Sequence, residues 1–233
     1  MRLHPAFFLA PLLACLLPRP VAASGRDTDS PVAHGAIPGD GADDSPAFQR
    51  ALEAIAAAGR GTLRIPPGDF HFTNRVSVAF SGGAITIEGA GQGVTRLIAD
   101  NPDGVFALRD ESCTWQVAIR HLSLAAAREG AGTAISITSP HRGARNYRTL
   151  TIRDTDIRGD GLPTAKHFLC GIDATGQWRP LFENVIVSGA AGPTVTQNRS
   201  DDSPLYAMRC GFIADWCYAP TFEHCYAWSA HTG

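Results

Sequence analysis

The sequence predicts an all-β solenoid, a parallel β-helix with a capping α-helix at its N-terminal end. Two observations carry this. Four strand-like segments share one grammar, Val117 to Leu124, Leu150 to Ile157, Pro180 to Val187 and Pro220 to Ala227. Their apolar anchors Ile119, Ile152, Phe182 and Phe222 lie 33, 30 and 40 residues apart. A constant strand at variable spacing is what loop insertions between stacked coils produce. One amphipathic helix precedes these segments, and a solenoid needs such an element because its end face would otherwise expose core.

The chain opens with Arg2, an apolar run from Ala6 to Leu17 broken only by Pro11, and the small residues Val21-Ala22-Ala23. That is the layout of a secretory signal peptide over residues 1–23, and the run is too short to span a membrane. Cleavage is expected after Ala23, which makes the mature chain secreted or periplasmic. Leu12-Leu13-Ala14-Cys15 also has the look of a lipoprotein box, but Leu16 and Leu17 carry the apolar run past the cysteine, so the ordinary site is preferred. Cleavage removes two arginines and no acid, leaving 210 residues with 18 basic and 22 acidic side chains, a formal charge of −4. A mildly acidic chain argues against general nucleic-acid binding. No second apolar stretch is long enough to span a bilayer. Residues 24–233 suit a single domain. Its five cysteines form no CxxC pair, which argues against a zinc site.

Ser45-Pro46 reads as a helix start, a hydroxyl to accept early N–H groups followed by proline where no N–H is needed. Phe48, Leu52 and Ile55 form one apolar stripe. Gly59 ends the helix, where a left-handed conformation is cheap only for glycine. Leu63 and Ile65 then alternate with Thr62 and Arg64 until Pro66-Pro67-Gly68 stops the strand. Asp40, Asp43 and Asp44 suggest a metal site or a carboxylate pair. Turn and helix-start roles are preferred, because aspartate satisfies local N–H groups at such places.

In the repeated segments an apolar residue points in and a charged one out, and His121, Asp154, Asn184 or His224 follows. Asn, Asp and His best tolerate a left-handed backbone among non-glycine residues, so this column predicts a bend between two sheets. The outward neighbours Arg120, Arg153, Glu183 and Glu223 predict a solvated ladder in which Arg153 faces Glu183. A second strand repeats as Thr133 to Ile137, Cys170 to Ala174 and Cys210 to Ala214. Ile135, Ile172 and Phe212 are expected to stack inward there, and Cys170 and Cys210 to share an inward column, either bonded or as an unbonded ladder.

The runs GAIPGDGADDSPAFQRAL, GRGTLRIPPGDF and ITIEGAGQGVTRL, spread over Pro31 to Leu97, resemble the opening of pectate-lyase-superfamily β-helices. That group includes rhamnogalacturonase-like and epimerase-like enzymes and phage tailspikes. The resemblance implies a right-handed helix, with a cap module and first coils over residues 31–97 and further coils over 98–233. It implies an extracellular polysaccharide as partner and a lyase or glycoside hydrolase as activity. The non-catalytic alternative is a glycan-binding or surface scaffold. A phage-type depolymerase fits the cap but not the leader. The chain stops at Gly233, straight after a strand-like segment, and so reads as the N-terminal part of a longer domain or as a minimal relative.

For hydrolysis, Asp173 and Asp215 are the candidate catalytic residues, expected outward on the second strand of adjacent coils. Their separation of roughly 7–8 Å would suit an inverting pair. For elimination, Arg145, Arg148 and Arg153 are the candidate substrate-binding residues, because a guanidinium fork fits a uronate carboxylate. The paired-Asp, Gly-His and Arg-x-Lys motifs of polygalacturonases are absent, and with Lys166 as the single lysine the last cannot be formed. No cofactor motif is visible. The resemblance leaves calcium open, with no ligand set to name and no metal residues assigned.

Overall fold

Each short alternating run pairs in parallel with its counterpart one coil along the chain. The computed structural model describes residues 28–111, 115–139, 147–161, 165–190, 208–228 and 230–232. The leader, Cys113 and Arg145 lie outside them. The chain enters through β1 (Thr28–Asp29), a 3-10 turn (Pro31–His34) and α1 (Ser45–Ala58). The first coil is β2 (Arg60–Arg64), β3 (Gly68–Phe72) and β4 (Val76–Phe80), and the second is β5 (Gly83–Glu88), β6 (Thr95–Ala99) and β7 (Gly104–Asp110). In the next three coils the first two strands run together through a bend. They are β8 (Trp115–Ala126) with β9 (Thr133–Thr138), β10 (Leu150–Gly159) with β11 (Cys170–Thr175), and β12 (Leu181–Ser188) with β13 (Met208–Ile213). The last described strands are β14 (Thr221–Glu223), β15 (Tyr226–Trp228) and β16 (Ala230–Thr232).

Stacking produces three parallel faces. The first holds β2, β5, the front halves of β8, β10 and β12, and β14. The second holds β3, β6, the rear halves of the same three strands, and β15. The third is β4-β7-β9-β11-β13-β16. This is a parallel β-helix, as the repeat predicts. Ile119, Ile152, Phe182 and Phe222 stand in one register.

The bend column is also in place. His121, Asp154, Asn184 and His224 have φ values of 58°, 45°, 51° and 52°. Three of the side chains interact along the stack, with Asn184 Nδ2 donating to Asp154 Oδ1 at 2.7 Å and His121 Nδ1 3.4 Å from Asp154 Oδ2. A β-branched residue pays the full steric cost of this conformation. Asn184→Val is therefore expected to be less stable than Asn184→Gly by about 1–2 kcal/mol, measured by urea unfolding.

α1 lies over one side of the first coil and buries Phe48, Leu52 and Ile55. Phe48 meets Phe70 and Phe72 at ring-centroid distances of 5.4 and 4.8 Å. The helix start differs from expectation by one residue. Asp44 precedes the helix and Ser45 is its first helical residue, with no side-chain cap. The Ser45 hydroxyl instead accepts the Asn74 N–H at 3.1 Å and donates to Asp43. Asp44 receives the N–H groups of Ile37 and His71, and Asp43 those of Ser45 and Thr73. These carboxylates fasten the entry loop to β3. Gly59 ends α1 at φ 73°, as expected.

On the third face Ile135, Ile172 and Phe212 share a register, and so do Cys170 and Cys210. Cys170 is buried, as the inward column predicts, and Cys210 is half-buried. The corner next to them is crowded. A Cβ on Gly171 would come within 2.4 Å of Val187, and one on Gly211 within 2.5 Å of the Ala227 Cβ. Only glycine fits at those two positions.

Candidate functional site

Ionisable side chains gather on the second face. Phe70, Leu97, Leu124, Ile157 and Val187 fill the interior there, so the residues between them project outward. Register aligns those residues as a column of Asp69, Arg96, Ser123, Asp156, Ile186 and Tyr226, one from each coil. A second column two residues on begins His71, Ile98, Ala125, Arg158. Between them opens a cavity of about 260 Å³, whose lining includes Gly93, Arg96, Ser123, Ala125 and Arg158.

Its charges are arranged in two linked groups. Arg96 spans Asp69, at 2.9 Å, and Asp160, while Lys166 Nζ lies 3.6 Å from the other Asp160 oxygen. Arg158 is ion-paired with Asp156. The Ser123 hydroxyl, 3.5 Å from the same Asp156 oxygen, accepts the Gly93 N–H at 2.9 Å. The Asp156 side chain is 8 % exposed, whereas that of Arg158 is 44 % exposed. Burial pushes the Asp156 carboxyl above the ordinary carboxylate range, and the opposing pull of Arg158 and Ser123 does not cancel it. A buried carboxyl of raised basicity, under a guanidinium that reaches solvent, can exchange a proton with a ligand whose negative charge the arginine holds.

A larger cavity of about 590 Å³ lies near the chain entry, lined in part by Asp29, Arg64, Pro66 and Glu88. Its charges are taken up locally, Asp29 by His34 at 2.9 Å and Arg64 by Glu88 at 3.9 Å. The smaller cavity is the better candidate, because Ser123 and Arg158 of its lining both contact Asp156, a buried carboxyl of raised basicity.

The described sequence-predicted residues lie elsewhere. Asp173 is on β11, half-buried and outward on the third face, where Oδ1 accepts the Thr175 hydroxyl at 2.8 Å. Asp215 is not on a strand, which corrects the expected pairing. β13 ends at Ile213, the residue in register with Asp173, and Asp215 follows in an exposed turn. Its carbonyl accepts the Gly176 N–H at 2.9 Å, so the chain is already leaving the face. The two acids still share a neighbour. Burial pushes the Cys217 thiol up, and the charges of Asp215 and Asp173 add to the rise.

Arg153 is on the first face and pairs with Glu183 at 2.7 Å, the partner the ladder predicts. Both side chains are more than a third exposed, so Arg153→Ala is expected to change unfolding free energy by less than about 1 kcal/mol in a urea titration. Arg148 is exposed just before β10, and its carbonyl accepts the Gln116 side-chain amide at 3.4 Å. Arg145 lies outside the described residues. Asp173 and Asp215 therefore belong to the third face and its edge and Arg153 to the first, and no single site contains them.

Arg96, Ser123 and Asp156 escaped the sequence reading, although a signal for two of them was present. Ser123, Asp156, Ile186 and Tyr226 each occupy the seventh position of the eight-residue repeat that carries the anchors. A polar residue recurring on the outward side just past the bend marks a groove column. Among the described residues no group of three or more His, Cys, Asp or Glu side chains could hold a metal ion. No helix among them is long and apolar enough to cross a membrane.

No family model matches the chain, and no curated protein sequence matches it. Two solved structures do. The A-module of mannuronan C-5 epimerase AlgE4 from Azotobacter vinelandii aligns with a TM-score of 0.57 and 20% identity, covering 87% of this chain and 51% of that one. The Agl-KA catalytic domain aligns with a TM-score of 0.40 and 16% identity, covering 91% of this chain and 49% of that one. The chain spans about half the length of the solved structures it matches. At such identity the likeness is one of fold, and it shows the parallel β-helix that the sequence motifs implied, shared with the epimerase A-module.

Proposed function

We propose that this chain acts on acidic polysaccharide outside the cytoplasm, by removing a proton from the carbon next to a uronate carboxylate. The observation that carries the proposal is Asp156, a buried carboxyl with raised basicity, ion-paired with Arg158, which lines the outward groove. In the ionised form Asp156 takes the C5 proton, and a more basic carboxylate is the better base. Arg158 turns its exposed edge to the uronate carboxylate and stabilises the charge that develops there. Arg96 is fixed by two carboxylates and positions the groove wall. In a lyase the electron pair left at C5 forms the C4–C5 double bond, the C4–O bond breaks and the leaving oxygen takes a proton. Epimerisation begins with the same abstraction and ends with a proton returned to the opposite face. The solved A-module that shares the fold is named for C-5 chemistry on mannuronan, which agrees with this reading.

The test is to incubate the purified protein with acidic and neutral polysaccharides, with and without calcium, following unsaturated-uronate absorbance, reducing ends and C5 configuration by proton NMR. Unsaturated ends or inverted C5 centres support the proposal. Reducing ends alone overturn it in favour of hydrolysis and direct attention to Asp173 and Asp215. Binding without any product overturns it in favour of a glycan-binding scaffold.

A further inference from the structure

We infer that Cys170 and Cys210 form a disulfide that links β11 to β13, joining the fourth and fifth coils. The two residues are direct register partners in parallel strands. Such strands lie about 4.8 Å apart, inside the Cα range of about 4.4–6.8 Å that a disulfide spans. Their sulfurs already stand 2.9 Å apart, closer than two unbonded sulfur atoms ordinarily pack. Bond formation requires a further approach of less than about 1 Å.

Cys210 is the more open of the two, and burial together with the Cys210 contact pushes the Cys170 thiol up. Cys210 therefore attacks first when a small disulfide such as oxidised glutathione arrives. Its sulfur bonds to one glutathione sulfur and the other glutathione leaves as a thiol. Cys170 then attacks Cys210, expelling the second glutathione as a thiol. The two protein S–H bonds are oxidised to one S–S bond, and one glutathione disulfide is reduced to two thiols. The link encloses the segment between positions 40 residues apart in sequence, all of β12 included.

The test uses the full chain equilibrated with oxidised glutathione, then alkylation and non-reducing peptide mapping. The expected result is loss of two alkylatable thiols, with the Cys170 and Cys210 peptides joined and Cys217 still free. Cys210→Ser is expected to keep its Cys170 thiol alkylatable under the same treatment. Four results would overturn the inference: both thiols unchanged, glutathione retained on Cys210 beside a free Cys170, a link through Cys113, or a link between two chains. None of these outcomes bears on the groove chemistry, which lies on another face.

Discussion

Asp156→Asn is expected to lower turnover of an acidic polysaccharide by about 10²–10⁴-fold, the usual contribution of a positioned proton-transfer group. The amide keeps the shape of the side chain and its contact with Ser123 but cannot accept the proton. Stability should move differently. Because burial raises the folded pKa above the ordinary 3.8, the folded chain holds this proton at pH values where the unfolded chain has lost it. The contribution of the group is fully present below the unfolded pKa and is lost as pH rises through the folded one. The amide has no such dependence, so Asp156→Asn should gain stability relative to wild type between about pH 4 and pH 7. Its Arg158 partner is exposed enough for water to replace the lost ion pair. Steady-state rates and thermal unfolding at both pH values check the two halves. Full activity in the variant would remove Asp156 from the chemistry, and a pH-independent difference in stability would mean that its carboxyl is not raised.

Phe48→Ala is expected to cost about 3–5 kcal/mol, the range for truncating a buried phenylalanine. Against a total stability of about 5–15 kcal/mol this is a large fraction. Phe48 has no exposed surface and packs on Phe70 and Phe72, while Phe72 in turn meets Phe106 at 6.1 Å. Truncation leaves a void between the helix and the first coil. Phe48→Leu should recover a substantial part of the loss by refilling the void. Guanidinium unfolding gives the free energies, and hydrogen exchange should show the largest loss of protection in β2 and β4, the strands against α1. A cost below about 1 kcal/mol for Phe48→Ala would show that α1 does not hold the front of the stack together.

The fold was legible because its two strongest signals are local and repeated. Ile119, Ile152, Phe182 and Phe222 mark the inward column, and His121, Asp154, Asn184 and His224 mark the bend, whatever the loops between them do. The candidate site was less legible because it depends on register between coils, with Asp69 and Arg96 coming from strands that precede the repeats used for alignment. Asp215 was misplaced for a related reason. The alignment extended the strand two residues too far, past Ile213, into a turn where Trp216 takes a positive φ of 55°. Burial was the other missing quantity. Asp156 and Asp173 look alike in sequence, and only packing separates a carboxyl with 8 % of its side chain exposed from a half-buried one bonded to Thr175.

The outward column on the second face takes one residue from each coil, and its members are separated in sequence by whole turns of the solenoid. Neighbours in space are thus encoded far apart, one to each coil. Asp69 with Arg96 and Ser123 with Asp156 are tied to each other, whereas Ile186 and Tyr226 behave like interchangeable keys on a fixed frame. Selection can rewrite either of these two without disturbing the linked four. A library randomised at Ile186 and Tyr226 would therefore explore ligand preference at little cost to folding, and the same modularity gives a lineage of such proteins a short route from one polymer to the next.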